Sequence, residues 1–369
     1  MGGVSPAKDY ILKAIGQGKS VVTANKEIMA DHGEDVLTAA EANRVDLLFE
    51  GSVGGGIPVL RPLKESLSGS RINRIMGIVN GTTNYILTQM ALEGRSFAQA
   101  LAEAQKLGYA EADPAADVEG HDAARKLAIL ASIAFGTRVK SRDIQTEGIS
   151  RVTPADIEFG HSHGWTLKLL AVARDQDGEV EARVGPAFVD NSHPLARVGD
   201  AYNAIYVYGH GVGETMFYGL GAGGLPTGSA VVGDILQAAR NRLRGVSFSA
   251  CTCRRSAKIK GHEELTGRYY LRVEAGSGGA IAADVVQILD QHGVPLRTLE
   301  EGRSAGGVCQ IGVISGECRE WALRRASQAI GALPAVRNVG TLIRLESDKL
   351  GKVGTEAFTG GPRGEKSWL

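Results

Sequence analysis

Short apolar runs alternate with helically spaced apolar residues at the start of the chain. Residues 6–17 and 27–43 carry apolar side chains at helical spacing, which predicts two helices. Residues 21–22 and 46–49 form short apolar runs, which predicts two buried strands. Strands that alternate with helices in this way predict a parallel sheet, and ligands bind beyond the carboxyl ends of such strands.

Two polar or glycine-rich segments follow these predicted strands. Residues 23–26 read TANK, and this places Lys26 where it can reach a phosphate or a reacting oxygen, or simply begin a helix in solvent. Gly54, Gly55 and Gly56 let the backbone approach another strand, a cofactor or a cation held by carbonyl oxygens.

The same signals continue to residue 243. Three predicted helices cover residues 58–66, 96–106 and 227–243. Another begins within NGTTNYIL at residues 80–87, one begins at Pro154, and a short one begins at residues 194–196. The predicted strands cover residues 71–79, 167–174, 180–189 and one from 204 to 207. The strands after residue 166 predict an antiparallel sheet, which makes the whole chain an α/β protein.

Residues 107–135 combine a carboxylate-rich loop with an apolar helix. Asp122 follows that loop and can cap the helix. Asp122 and Lys126 are four residues apart and share one helix face, which is often only a surface ion pair. The clustered carboxylates, however, repel one another unless a cation binds among them. A substrate ammonium group, a metal or the lysine would serve, and a lysine held by a carboxylate is a usable proton donor.

Composition limits the class of protein. The chain has 369 residues, which predicts two or three domains, and its 41 basic and 41 acidic side chains imply no nucleic-acid or membrane partner. No membrane-length apolar run and no signal peptide is present in the sequence. The four cysteines fit neither a zinc site nor a disulfide framework, so we expect a cytoplasmic protein. His161 and His163 are spaced to share one side of a strand, but no third metal ligand lies nearby in the sequence.

Four long motifs occur in a fixed order: TANK, FEGSVGGGIP, GIVNGTTNYIL and LGYAEADPAADVEGHDAARKLAIL. Together they resemble homoserine dehydrogenase of the bacterial type, from about residue 2 to residue 245. The resemblance implies an NADPH- or NADH-dependent enzyme that reduces L-aspartate 4-semialdehyde to L-homoserine in threonine, methionine and isoleucine biosynthesis. It also implies a homodimer or homotetramer.

The resemblance implies three folded parts. Residues 1–48 would be a partial Rossmann-like nucleotide-binding portion, and residues 49–245 an α+β substrate and dimerisation domain. After a linker at 246–267, residues 268–347 resemble an ACT domain, with the ferredoxin-like order βαββαβ and a possible threonine effector. Residues 348–369 would be a disordered tail.

The resemblance also carries roles onto particular residues. Lys126 corresponds to the catalytic proton donor, Asp122 to the acid beside it, and Lys26 to a lysine near the cofactor and the reaction centre. The other implied sites are Glu111, Asp117 and Thr82 for the substrate, Thr23, Lys26 and Gly223 for the cofactor, and Glu50, Val53, Gly55 and Ile57 for a monovalent cation, Na⁺ or K⁺.

The chain departs from the family in three places. It begins in what resembles the last third of the Rossmann domain, so we expect the pyrophosphate-binding turn to be missing. Residues 219–224 read GLGAGG, but Pro226 and the lack of a following βαβ unit argue against a dinucleotide fingerprint. The family's effector turn in the ACT domain is replaced by residues 275–279. Three hypotheses follow: an active enzyme, a catalytically impaired truncated homologue, or an amino-acid-binding regulatory protein.

Overall fold

A computed structural model describes residues 3–246, 253, 255–276, 281–303 and 308–346. These residues have a mixed α/β fold. The helices are α1 Ala7–Gly16, α2 Lys26–Ala42, α3 Leu60–Lys64, α4 Gly81–Glu93, α5 Phe97–Lys106, α6 Ala115–Val118, α7 His121–Phe135, α8 Pro154–Ser162, α9 Gly224–Arg244, α10 Ile281–Gln291 and α11 Glu320–Gly331. Short 3₁₀ turns lie at Glu50–Ser52, Ser141–Asp143, Pro194–Arg197 and His262–Glu264.

The strands form one small parallel pair and one large sheet. They are β1 Val21–Val22, β2 Leu47–Leu48, β3 Ile72–Ile78, β4 Gln145–Thr146, β5 Trp165–Gln176, β6 Glu179–Asp190, β7 Tyr202–Gly209, β8 Gly213–Leu220, β9 Lys258–Ile259, β10 Thr266–Ala275, β11 Leu296–Arg303, β12 Cys309–Ser315, β13 Cys318–Arg319, β14 Val336–Val339 and β15 Ile343–Glu346.

The N-terminal part is a βαβ unit in which α2 connects the parallel strands β1 and β2. Asn25 is the N-cap of α2, and its side chain accepts a hydrogen bond from the Ile28 amide at 3.0 Å. Ile28 and Leu47 are buried between helix and strand. This unit therefore fixes Thr23 and Lys26 beyond the carboxyl end of β1, as the apolar pattern predicts.

The middle of the chain folds around an antiparallel sheet with the strand order β6–β5–β3–β7–β8. Helices α4 and α7 pack against this sheet. Because β3 runs directly into α4, the carboxyl end of β3 and the first turns of both helices come together. The predicted antiparallel strands and the β7–β8 hairpin are confirmed.

The C-terminal part runs β10–α10–β11–β12–β13–α11–β14–β15 and has its own apolar core, which includes Leu271, Val285 and Leu323. Strands β14 and β15 both pair with β10, at different positions along it. Its strand β15 pairs in parallel with β6 of the middle part, so the two sheets are continuous. Glu346 at the end of β15 is buried and accepts hydrogen bonds from arginines of the middle part, Arg74 among them, with Arg74 Nη2 at 2.9 Å.

Two local predictions near the carboxylate-rich loop are wrong. Asp122 does not cap α7, because Gly120 occupies the N-cap position at φ +84° and the helix begins at His121. Asp122 lies in the first turn, where its carboxylate pairs with lysines instead. The loop before it is interrupted by the short helix α6.

Three further differences concern the second half. His161 lies in α8 and His163 is its C-cap, so the predicted strand position is wrong. Pro226 lies within the first turn of α9 and does not interrupt the loop before that helix. The described part of the predicted linker contains β9, which pairs with β6. Most of the altered effector turn and the tail at 348–369 lie outside the described residues.

Candidate active site

The first turn of α4 forms one wall of the site. Asn80 is the N-cap of this helix, and its Oδ1 accepts a hydrogen bond from the Thr83 amide at 2.9 Å. The residue before it, Val79, ends the β3 segment with a carbonyl that points at Lys126 Nζ at 2.7 Å. The local sequence therefore holds backbone and side-chain polar groups of residues 79–82 at the carboxyl end of β3.

The first turns of α7 form the opposite wall. Asp122 and Lys126 lie on one face of this helix, and the Lys126 Nζ to Asp122 Oδ2 distance is 2.7 Å. Both side chains are buried, with 6% of Asp122 and 9% of Lys126 exposed. The predicted pair is therefore present, and it is not the solvent-exposed pair that its spacing usually indicates.

Lys26 reaches this pair from the nucleotide-binding part of the chain. Its Nζ lies 2.6 Å from Asp122 Oδ1, while its side chain remains 38% exposed. One carboxylate is thus bracketed by two ammonium groups. The structure brings together all three residues for which a catalytic role is predicted from the sequence.

The charge state of Asp122 follows from these neighbours. Burial alone would raise the pKa of its carboxyl, but the ammonium groups of Lys126 and Lys26 outweigh burial and hold that pKa well below its usual range. The carboxylate is therefore ionised at neutral pH. It keeps two cations in place and leaves a net positive charge around the pair.

Asn80 is a site residue that the sequence reasoning missed. Its Nδ2 donates to Asp122 Oδ2 at 2.9 Å and to Asp117 Oδ1 at 2.7 Å. Thr82 Oγ1 lies 3.2 Å from the other oxygen of Asp117. The only local signal was an asparagine before a helix, which indicates a cap and says nothing about carboxylates that lie far along the chain.

The structure separates the two predicted substrate carboxylates. Asp117 lies on α6, half-buried and oriented by Asn80 and Thr82. Glu111 is exposed in the preceding loop, where its backbone carbonyl accepts a hydrogen bond from Gln105 Nε2 at 3.1 Å. The loop between them is tied to α4, because the Thr82 hydroxyl donates to the Tyr109 carbonyl at 2.5 Å.

The glycine-rich turn at 53–57 lies beside the GLGAGG loop. A Cβ on Gly55 would come within 2.7 Å of the Gly221 carbonyl, so a side chain there would collide with that backbone. Val53, Gly55 and Ile57 are buried in this turn. The Glu50 side chain instead accepts hydrogen bonds from the amides of α3, including Leu60 N at 2.8 Å, and burial raises its pKa.

The predicted cofactor residues lie at the mouth of the site. Thr23 Oγ1 accepts a hydrogen bond from the Asn25 amide at 3.1 Å at the end of β1. Gly223 is the N-cap of α9 and has a φ of +117°. A Cβ on Gly51 would lie 3.3 Å from Ala24 and 3.5 Å from Thr227, so the end of β1 and the start of α9 converge there.

These groups can support chemistry on a carbonyl oxygen. The Lys126 ammonium carries three donor N–H groups, and the described residues provide two acceptors, Val79 O and Asp122 Oδ2. A buried ammonium with a further N–H can stabilise an oxygen that gains negative charge and then protonate it. Among the described residues, no cluster of three His, Cys, Asp or Glu side chains could hold a metal, and no helix could cross a membrane.

Comparisons with known proteins show to which family this chain belongs. Residues 58–236 match the homoserine dehydrogenase family, and residues 1–50 match the family described as homoserine dehydrogenase, NAD binding domain. Homoserine dehydrogenase of Corynebacterium glutamicum is 44% identical over 94% of this chain and 79% of its own length.

Solved structures show the same likeness. A homoserine dehydrogenase from Thiobacillus denitrificans superposes with a TM-score of 0.88 and 38% identity, over 94% of this chain and 80% of that one. A hyperthermophilic archaeal homoserine dehydrogenase in complex with NADPH gives a TM-score of 0.57 and 32% identity, over 64% and 68%. As an oxidoreductase of threonine, methionine and isoleucine synthesis, the chain interconverts L-aspartate 4-semialdehyde and L-homoserine with a nicotinamide cofactor. It thus belongs to the homoserine dehydrogenase family.

Proposed function

We propose that Lys126 is the proton donor of this reaction. The observation that supports it is the buried ammonium group, which is held by Val79 O at 2.7 Å and by the Asp122 carboxylate at 2.7 Å. The hydride for the aldehyde carbon would come from a nicotinamide cofactor when one is bound. The aldehyde oxygen then takes a proton from Lys126, which becomes a neutral amine and recovers its proton from water. Proton transfer of this kind contributes roughly 10²- to 10⁴-fold to the rate.

Asp122 and Lys26 support this transfer. The Asp122 carboxylate holds the Lys126 ammonium in a buried position that would otherwise oppose its charge. Lys26 adds a second positive charge 2.6 Å from the same carboxylate, on the side of the nucleotide-binding part. Its exposed portion can reach a cofactor group, so Lys26 serves both the cofactor and the reaction centre.

The substrate is held by its amino group. Glu111 and Asp117 provide negative charges, and the Thr82 hydroxyl lies 3.2 Å from Asp117 Oδ2. The hydrogen-bonding neighbours of the Asp117 oxygens, Asn80 and Thr82, are neutral, so its charge is not cancelled by a protein cation at those contacts. An ammonium group is the ligand that this arrangement favours.

The cofactor is NADP(H) or NAD(H). Thr23, Lys26 and Gly223 would hold it, because residues 23–26 follow β1 and the start of α9 converges on them at Gly51. The archaeal relative bound to NADPH supports a phosphorylated cofactor.

A monovalent cation, Na⁺ or K⁺, would bind at the turn of residues 50–57. Among the described residues, no backbone amide donates to the carbonyls of Val53, Gly55 or Ile57. Asn203 is fully buried against Gly221, and neither polar atom of its side chain has a hydrogen-bond partner in the described part of the chain. Carbonyl and amide oxygens of this kind replace the hydration shell of an alkali ion. The Glu50 carboxylate oxygens already accept hydrogen bonds from the backbone amides of α3. Glu50 would therefore contribute to the cation site through its backbone carbonyl oxygen or through its negative charge.

The C-terminal part would be an ACT domain. Its element order supports this assignment, because it becomes βαββαβ when the two-residue strand β13 is set aside and β14 and β15, which both pair with β10, are counted as one interrupted strand. An amino acid such as threonine is the effector that such a domain would take. The chain would form a homodimer or homotetramer through the substrate domain, where Met216, Tyr218 and Leu220 of edge strand β8 are exposed. The free thiols of Cys309 and Cys318 support a reducing, cytoplasmic setting.

The experiment is NADPH oxidation with aspartate semialdehyde by the wild type and by Lys126→Ala, with Arg125→Ala as the matched control. Arg125 is the preceding cation on α7, and it lies 3.6 Å from Glu27 outside the Val79–Asp122 contacts. Lys126→Ala should lose turnover while circular dichroism shows an unchanged fold, and Arg125→Ala should keep turnover. Activity in Lys126→Ala would refute the proton-donor role.

A further inference from the structure

The segment that precedes the active-site helix rests on residues 145–149. The Ile149 amide donates to the Val118 carbonyl at 2.8 Å, at the end of the short helix that carries Asp117. A Cβ on Gly148 would lie 2.3 Å from that carbonyl, so the two backbones are in direct contact. Any displacement of residues 145–149 therefore moves the turn between Asp117 and Asp122.

Glu147 connects this support to the C-terminal part. Its amide donates to the Val184 carbonyl at 2.9 Å, which ties it to β6. Its carboxylate points the other way, where Oε2 lies 2.5 Å from Arg324 Nη2 on α11 and Oε1 accepts a hydrogen bond from Thr341. The Glu147 side chain thus bridges two parts of the chain that are distant in sequence.

Arg324 is held on both sides. It also pairs with Glu320 at 2.7 Å, and Glu320 in turn accepts a hydrogen bond from the Tyr269 hydroxyl at 3.1 Å. Burial lowers the pKa of the Arg324 guanidinium, but Glu147 and Glu320 outweigh burial and raise it. The contact therefore belongs to the fixed framework of the C-terminal part.

We propose that the Glu147–Arg324 pair is an inter-domain strut, through which the C-terminal part positions the substrate carboxylates before α7. Glu147 and Arg324 are positioning residues, because neither touches the substrate or the reacting atoms. The strut acts on Asp117 through Val118 and on the first turn of α7 through Gly120. This inference rests on the proposed substrate role of Asp117.

The test uses the full chain and four variants: Arg324→Ala, Glu147→Gln, their double variant, and Arg324→Lys. The measurements are KM for homoserine, KM for the cofactor, kcat and the melting temperature. Arg324 is 43% exposed, so its truncation should leave the protein folded. We expect KM for homoserine to rise about threefold to tenfold in either single variant, the range that one lost coupling between contacting residues produces.

The other readouts separate positioning from general loss of stability. KM for the cofactor and the melting temperature should change little. The double variant should be no worse than the stronger single variant, because both remove one contact. Arg324→Lys keeps the cation and should restore part of the homoserine affinity.

Two controls make the result decisive. Glu300→Ala removes another contact between the same two parts, the 3.0 Å pair with His163, away from the substrate turn, and should leave KM for homoserine unchanged. Asp117→Asn should raise that KM directly. If Asp117→Asn raises it while the strut variants do not, the strut is refuted and the substrate site stands. If Asp117→Asn has no effect, the substrate assignment fails, and the strut fails with it.

Discussion

Lys26, on the helix that follows β1, lies 2.6 Å from the Asp122 carboxylate on α7. The N-terminal βαβ unit and α7 are therefore joined by an ion pair. Burial would raise the pKa of the Asp122 carboxyl, but the two flanking ammonium groups hold it below its usual range. The proposed mechanism depends on this charge rather than on the shape of the side chain.

Replacing Asp122 by Asn tests that requirement. The variant keeps the size of the side chain but leaves two ammonium groups close together without a counter-charge. We expect kcat/KM for homoserine to fall by about 10²-fold or more, because Lys126 loses the partner that orients its proton. Steady-state kinetics with far-UV circular dichroism would check this, and a variant within threefold of the wild type would contradict it.

Asn80 offers a second test, because one substitution can keep its helix-capping oxygen while removing its amide donor. Asn80→Ser retains a good N-cap for α4 but removes the hydrogen bonds to Asp117 and Asp122. We expect KM for homoserine to increase about tenfold, and unfolding in urea to show a loss of about 1–3 kcal/mol from the amide hydrogen bonds that the two carboxylates lose. A loss of stability with unchanged KM would mean that Asn80 only caps the helix.

Glu111 and Asp113 provide a matched pair of exposed carboxylates in one loop. Glu111→Ala should raise KM for homoserine several-fold more than KM for the cofactor, because it removes a charge that attracts the substrate ammonium. Asp113→Ala should change neither, since the Asp113 side chain accepts a local hydrogen bond from the Ala115 amide at 3.1 Å. Equal effects of the two variants would indicate general electrostatic attraction instead of a specific contact.

The proposed cation site predicts an ion-specific stabilisation. Dialysed protein should melt at a higher temperature in NaCl or KCl than in tetramethylammonium chloride of equal ionic strength, because only the folded state has the carbonyl cluster. Asn203→Ala, which removes the orphan amide beside the turn, should reduce that difference. Identical melting temperatures in all three salts would argue against the site.

Lys168 gives a pH-dependent prediction with a definite sign. It is 4% exposed on β5 and donates to Asn84 Oδ1 and the Val198 carbonyl, and burial lowers its pKa to about 8. An unfolded lysine titrates near 10.4. Below pH 8 the Lys168 ammonium keeps its proton in both the folded and the unfolded protein. Between about pH 8 and 10.4 only the unfolded protein keeps it, so the free energy of unfolding rises with pH.

The measurement compares urea unfolding of the wild type and Lys168→Met at pH 7.5 and 9.5. The stability of the wild type should rise relative to the variant by about 2 kcal/mol over this interval. A fall would show that the Lys168 ammonium is stabilised by the fold. Both proteins carry the same other titrating groups, so the difference isolates Lys168.

The sequence predicted local elements well because their signals act within one helical turn or one strand. Ser96 and Gln99 form the expected capping arrangement at the start of α5. Asp122 was wrongly predicted as a cap because its sequence neighbours could not reveal that Gly120 takes that position and that lysines compete for the carboxylate.

Contacts between distant segments were less accessible to sequence reasoning. The roles of Lys26, Asp122 and Lys126 came from resemblance, and their mutual distances required the fold. Asn80 and Glu147 were not recognised because each acts on residues from other elements, and no spacing along the chain encodes such a contact. The altered effector turn lies mainly outside the described residues, so its consequence stays a prediction.

The parallel pairing of β15 with β6 determines how this protein can be shortened or recombined. Deleting the C-terminal part would leave residues 187–189 of β6 as an open edge, which invites pairing with other chains. It would also remove the Glu346 carboxylate from the buried guanidinium groups of Arg74, Arg174 and Arg183, so the positive charge of this cluster would be less well compensated. The C-terminal part is therefore not an independent module. A chimaera that replaces it must keep β15 and the Glu346 carboxylate at its end.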